Sequence, residues 1–234
     1  MKRSFRTRCV TAGFFAMVVG SGPKLLANPV VGYVDTFTGS TNPTNWGNLA
    51  GATDLIATGG PGGVNDSYIR ITASGGGQGG ALAMNTFSSS WTGNYQSAGV
   101  TSLAVDLLSP SANTTTPLQI RPVLFGQAGG RFTSIVPFLL PNDGAWHHAV
   151  FPIGSTDLNN VGSAGDSYAA MISNSLELMF RYAVTSTQSG GTGVIGTLGL
   201  DNITAVGTVP EPTGLLLIPL GVAALLRRSR RRQV

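Results

Sequence analysis

Between Asn28 and Gly207 the chain is a succession of short β-type runs punctuated by Gly, Ser, Thr and Asn, and that rhythm leaves few fold classes open. The runs span residues 31–37, 54–57, 68–73, 100–108, 118–125, 132–139, 147–153, 176–184 and 196–206. Several alternate with period two, as a strand with one buried face must. In 176–184, Leu176, Leu178, Phe180, Tyr182 and Val184 fall on one face, and Glu177, Met179 and Arg181 on the other. In 100–108, Leu103, Val105 and Leu107 share a face opposite Asp106. Helical character is confined to 166–174, which predicts one short helix between strands. About nine strands at this spacing predict an all-β, antiparallel β-sandwich.

Charge is sparse and unevenly placed. Of 234 residues only 10% are charged, which excludes a coiled coil or a charge-driven disordered chain. The formal net charge is +4, yet the basic residues crowd the two ends: Lys2, Arg3, Arg6, Arg8 and Lys24, then Arg227, Arg228, Arg230, Arg231 and Arg232. Between them stand four arginines (Arg70, Arg121, Arg131 and Arg181) against nine acidic residues, so residues 28–207 carry five net negative charges. A nucleic-acid groove is excluded there, and the absence of lysine excludes a lysine-based phosphate loop or Schiff-base site. The run 75–80 contains G-x-G-x-x-G, but no βαβ context surrounds it. The single cysteine, Cys9, lies in a segment expected to be removed, leaving no disulfide or thiolate site.

Both ends read as addresses. Residues 1–27 form a signal peptide: a basic start, the apolar run 9–19, a break at Pro23 and a small residue at Ala27, the substrate pattern of a signal peptidase. At the other end an apolar stretch, 213–226, is followed by the five arginines, a stop-transfer pattern expected to make one transmembrane helix. Just ahead of it stands Pro210-Glu211-Pro212. Motif, apolar helix and terminal basic cluster together resemble the PEP-CTERM sorting signal, here 208–234. The resemblance implies a chain processed by an exosortase near Pro210-Glu211-Pro212, held in the membrane by its C-terminus until then, and delivered to the envelope, cell surface or extracellular matrix.

The central region, 28–207, resembles the jelly-roll sandwiches of bacterial carbohydrate-binding modules. The residues that carry this are Val34-Asp35-Thr36-Phe37 early in the chain, Asp143-Gly144-Ala145-Trp146 leading into 147–153, and Leu200-Asp201-Asn202-Ile203 in the last strand. Asp35 and Asp201, on first and last strands that neighbour one another in a jelly roll, are candidate ligands for a structural calcium ion, a cation that prefers oxygen. The alternative is two solvated strand-end aspartates. Trp91 and Tyr95, with Trp46, are candidate sugar-stacking rings, against the alternative that they are core aromatics; Trp146 reads as core. His147 and His148 are adjacent strand residues and point to opposite faces, so they form no common metal or acid–base site.

Acidic residues are scattered singly, and neither Gly-x-Ser-x-Gly nor His-Glu-x-x-His occurs. The expectation is therefore an exported, non-catalytic envelope or matrix protein that binds exopolysaccharide. Two rivals stand beside it: a purely structural surface protein without a ligand, and a weak glycan-active enzyme that uses aspartates.

Overall fold

A computed structural model describes residues 29–39, 41–47, 52–75, 81–162 and 165–207. The expected signal peptide 1–27, Pro210-Glu211-Pro212, the apolar stretch 213–226 and the arginine cluster lie outside the described residues. Among the described residues no helix is long and apolar enough to cross a membrane.

Two antiparallel sheets form a sandwich. The first contains β1 (Val34–Asp35), β2 (Ala52–Ile56), β3 (Tyr68–Ser74), β5 (Val100–Leu108), β9 (Trp146–Pro152) and β12 (Ile195–Gly207). Its order is β2-β3-β12-β5-β9, with β1 also on β12. The second contains β4 (Ala83–Thr86), β6 (Leu118–Phe125), β7 (Arg131–Ser134), β8 (Phe138–Leu140), β10 (Leu158–Asn160) and β11 (Glu177–Tyr182). Its order is β10-β7-β6-β11-β4, with β8 on β6. The first and last strands are neighbours, as a jelly roll requires: Asp35 lies opposite Ile203.

Alternation sets which face is buried. Leu103, Val105 and Leu107 of β5 and Leu178, Phe180 and Tyr182 of β11 point inward and are buried. They meet Ile69, Ile71, Leu198, Leu200, Phe151 and Ile120 in one continuous core. Burial of this apolar area, at about 25 cal/mol per Å², is the main favourable contribution in a domain with no cysteine among its described residues.

Some predicted strands change shape. The run 31–37 shortens to β1, because the chain turns at Gly32 and Phe37, both at positive φ. The run 132–139 splits into β7 and β8; Ile135 and Val136 face solvent between them, and Pro137 has no amide hydrogen for a ladder. The strands β4 and β10 and the single-turn helix α1 (Tyr95–Ala98) have no counterpart among the predicted elements. The predicted helix is present as α2 (Tyr168–Ser173), and Ser167 caps it by accepting from the Ala170 amide at 3.1 Å.

Candidate functional site

The three rings expected to stack on sugar are core residues. Trp46 is 2% exposed, and Trp91 and Tyr95 are fully buried. Each polar edge has a partner inside the protein, which is what lets such rings be buried. Trp46 Nε1 and Trp91 Nε1 both donate to Asp35 Oδ2, at 2.7 and 2.6 Å. Thr44 Oγ1 donates to the same oxygen at 2.5 Å, and Tyr33 donates to Oδ1 at 2.9 Å. The Tyr95 hydroxyl donates to the Trp91 carbonyl at 2.6 Å. Burial pushes the Tyr95 phenol far above its ordinary pKa. Asp35 is thus the acceptor that ties β1 to the 44–46 and 88–95 segments.

Asp201 belongs to a different environment. Asp35 is in register with Ile203, a core residue, whereas Asp201 pairs with Asp106 and flanks a bulge at which Asn202 takes φ 48°. The bulge shifts the alternation, so Asp201 faces the outer side of the first sheet, under the loop that joins β2 to β3. The structure therefore does not bring Asp35 and Asp201 to one cation. The carboxylate that meets Asp201 is Asp66: a Cβ on Gly60 would lie 2.5 Å from Asp66 Oδ2 and 3.1 Å from Asp201 Oδ2. Asp201 Oδ1 accepts the Asn202 amide at 2.7 Å, while Oδ2 is buried without a hydrogen-bond partner. Burial, reinforced by Asp66 and Asp106, raises the Asp201 pKa to about 7. Two carboxylates thus converge, and the proton held at Asp201 eases their repulsion. No group of three or more His, Cys, Asp or Glu side chains converges among the described residues.

The histidines diverge as expected. His147 Nε2 lies 3.0 Å from Asp143, and His148 Nδ1 lies 2.7 Å from Asp106. Trp146 is half-buried at the outer side of the first sheet, not in the core. Its ring meets Tyr68 edge-on at 5.1 Å, and its Nε1 donates to the Gly59 carbonyl at 2.9 Å.

The outer face of the second sheet gathers several buried polar and charged side chains. Strand register places Asn85, Glu177, Arg181, Arg121, Val123, Phe125, Arg131 and Thr133 there. An outer face would ordinarily be solvated, yet Arg181 is 1% exposed, Arg121 4%, Asn85 5% and Glu177 8%. Over Arg181 and Arg131 lies the segment 184–192. Arg181 donates to the Ser189 and Gln188 carbonyls at 2.7 and 2.6 Å, and Arg131 to the Ser189 carbonyl at 3.0 Å. Asn159 donates to the Ser186 carbonyl at 2.9 Å. Arg121 instead locks the sheet rim, donating to the carbonyls of Ala183, Ser134 and Ile135 at 3.0, 2.7 and 2.5 Å.

Electrostatically the face is positive. Burial, with Arg131 and Arg121 nearby, lowers the Arg181 pKa to about 10, and burial lowers that of Arg121. Burial raises the Glu177 pKa against the opposing effects of Asn85, which donates to Oε1 at 2.8 Å, and of Arg131. Sequence reasoning missed this face. Its signal was present in the placement of three of the four central arginines on outward positions of what became β6, β7 and β11.

No family model matches the sequence, and no curated protein matches it. Among solved structures the chain is similar to a family 11 carbohydrate-binding module of a Clostridium thermocellum cellulosomal cellulase. The TM-score is 0.51 at 13% identity, covering 79% of this chain and 99% of that one. The family 11 module from Clostridium thermocellum in complex with a β-1,3-1,4-mixed-linked tetrasaccharide gives 0.50 at 12% identity, covering 78% and 99%. An exo-β-agarase gives 0.51 at 12% identity, covering 78% of this chain and 25% of that one. Likeness at this identity establishes a shared sandwich, and function must be argued from the site.

Proposed function

We propose that this is an exported, non-catalytic protein of the cell envelope or matrix that binds polysaccharide on the outer face of its second sheet. The observation that carries the reading is that face: buried arginine, asparagine and glutamate side chains, with Arg131 and Arg181 bonded to a Ser/Thr/Gly-rich segment that lies over them. Directed polar groups are how a protein selects among hydroxyl-rich ligands. The sandwich shared with carbohydrate-binding modules supports it. Delivery rests on the sequence: a signal peptidase removes 1–27, and an exosortase acts at Pro210-Glu211-Pro212 while 213–226 and the arginines hold the membrane.

The non-catalytic role is part of the proposal. Glycoside hydrolysis needs two carboxyl groups flanking a substrate. The pair that does converge, Asp66 and Asp201, is closed over by Gly60, and Asp201 is fully buried. That pair is better suited to a structural calcium ion, with Asp66 taking the place first expected of Asp35.

Binding is tested by gel retardation of the full-length protein in mild detergent against a panel of soluble polysaccharides. Retardation that weakens in Asn85→Ala and Arg131→Ala supports the reading. A protein that binds nothing in the panel is a structural component instead, and one that releases reducing sugar is an enzyme.

A further inference from the structure

We infer that this face takes an acidic polysaccharide, whose carboxylate or sulfate group replaces the Ser189 carbonyl between Arg131 and Arg181 as the segment 184–192 lifts. This deepens, and rests on, the polysaccharide-binding reading above.

Three arginines share a face, yet the ion pairs among the described residues are Arg70–Asp54, His147–Asp143 and His148–Asp106, none of them on it. The guanidinium groups of Arg131 and Arg181 are held instead by neutral carbonyls, and one oxygen, that of Ser189, serves both. Arg181 Nε is buried with no partner at all. A neutral oxygen in a two-arginine fork stands where a carboxylate or sulfate oxygen would be held more strongly, because charge-assisted bonds are roughly twice as strong as neutral ones. Arginine also matches the geometry of such anions.

The covering segment is suited to leave. Residues 185–192 read Thr-Ser-Thr-Gln-Ser-Gly-Gly-Thr and offer no apolar anchor. The base is fixed: the Ala183 amide donates to the Gln119 carbonyl at 3.0 Å and the Thr192 amide to the Tyr182 carbonyl at 2.9 Å. The arch between those points is tied to the sheet by Arg131, Arg181 and Asn159. Lifting it therefore exposes the same guanidinium groups that the ligand needs. Arg131 is the accessible member, half-buried and stacked over the Phe125 ring at 5.5 Å.

Arg131 and Asn159 both tie down the segment, but only Arg131 brings charge, so their variants should act in opposite directions. Full-length protein in mild detergent is run in gels cast with polygalacturonate, dextran sulfate or neutral mixed-linkage β-glucan. Polygalacturonate or dextran sulfate should retard it more than the neutral glucan. Arg131→Gln should weaken acidic binding about tenfold, Arg131→Lys less, and Asn159→Ala should strengthen it severalfold, with melting temperatures checking that each variant folds. Whichever polyanion loses more in Arg131→Gln identifies carboxylate or sulfate as the group recognised. Binding to the neutral glucan alone overturns this inference and leaves the polysaccharide reading standing. Acidic binding unchanged in Arg131→Gln and Arg131→Lys also overturns it, and no retardation in any gel overturns both.

Discussion

At the scale of single residues, Asp35 is the most consequential side chain. Its two oxygens satisfy two indoles, a threonine and a tyrosine in the core. Asp35→Ala orphans several buried donors and should cost about 3–5 kcal/mol, since each unsatisfied group costs about 1–3 kcal/mol. Asp35→Asn keeps one acceptor and should cost less; urea denaturation with the protein in mild detergent measures both. Trp91→Ala should lose about 3–5 kcal/mol through the cavity it leaves. Because Trp91 lies in the core, any loss of glycan binding should track the unfolded fraction. Asp201 gives a pH dependence with a definite sign. Its folded pKa, about 7, lies above the ordinary aspartate value, so the folded protein holds a proton that the unfolded chain gives up. In EDTA, stability should be full below about pH 4 and fall as pH rises to about 7, by no more than about 4 kcal/mol. Asp201→Asn should flatten the profile, and a melting temperature that climbs across that window would contradict the assignment.

At the scale of elements, β12 shows how one irregular residue redirects a strand. Ile195 to Leu200 pair with β3, and after the bulge Ile203 and Thr204 pair with β1. Asn202, at φ 48°, makes the shift, and its side chain donates to Asp106 Oδ2 at 2.7 Å. Asparagine tolerates the left-handed region and β-branched residues do not. Asn202→Val should therefore cost about 2–4 kcal/mol, through backbone strain and the lost hydrogen bond, whereas Asn202→Gly should cost less. Guanidinium unfolding of the two variants tests the ranking. Strands with clear alternation, nine-residue β5 and the inward face of six-residue β11 among them, were legible in the sequence. The strands β4 and β10 were not: at four and three residues they carry too little period-two signal, and pairing with β11 and β7 makes them strands. The Ser/Thr/Gly residues 185–192 fall between two predicted runs and carry no periodic signal, because only the arginines beneath them give them a place.

At the scale of the whole molecule, charge is segregated: the ends are basic, the domain is acidic, and three of its four arginines gather on one face. Replacing Pro210-Glu211-Pro212 with alanines should leave the unprocessed chain in the membrane fraction, read by immunoblot of fractionated cells, while a processed, released product contradicts the sorting assignment. If calcium joins Asp66 and Asp201, adding it should raise the melting temperature by several degrees at pH 8 and by less at pH 5, where Asp201 is protonated. The sequence by itself determined the sandwich, because two-residue alternation and turn chemistry are local properties of the chain; that the first and last strands are neighbours was implied by the jelly-roll resemblance and shown only by the pairing of β1 with β12. It could not determine which aromatic rings face solvent, which aspartate meets Asp201, or where the arginines converge. Those depend on register between strands far apart in sequence, on one bulge that reverses a face, and on buried acceptors that appear only when the sheets pack.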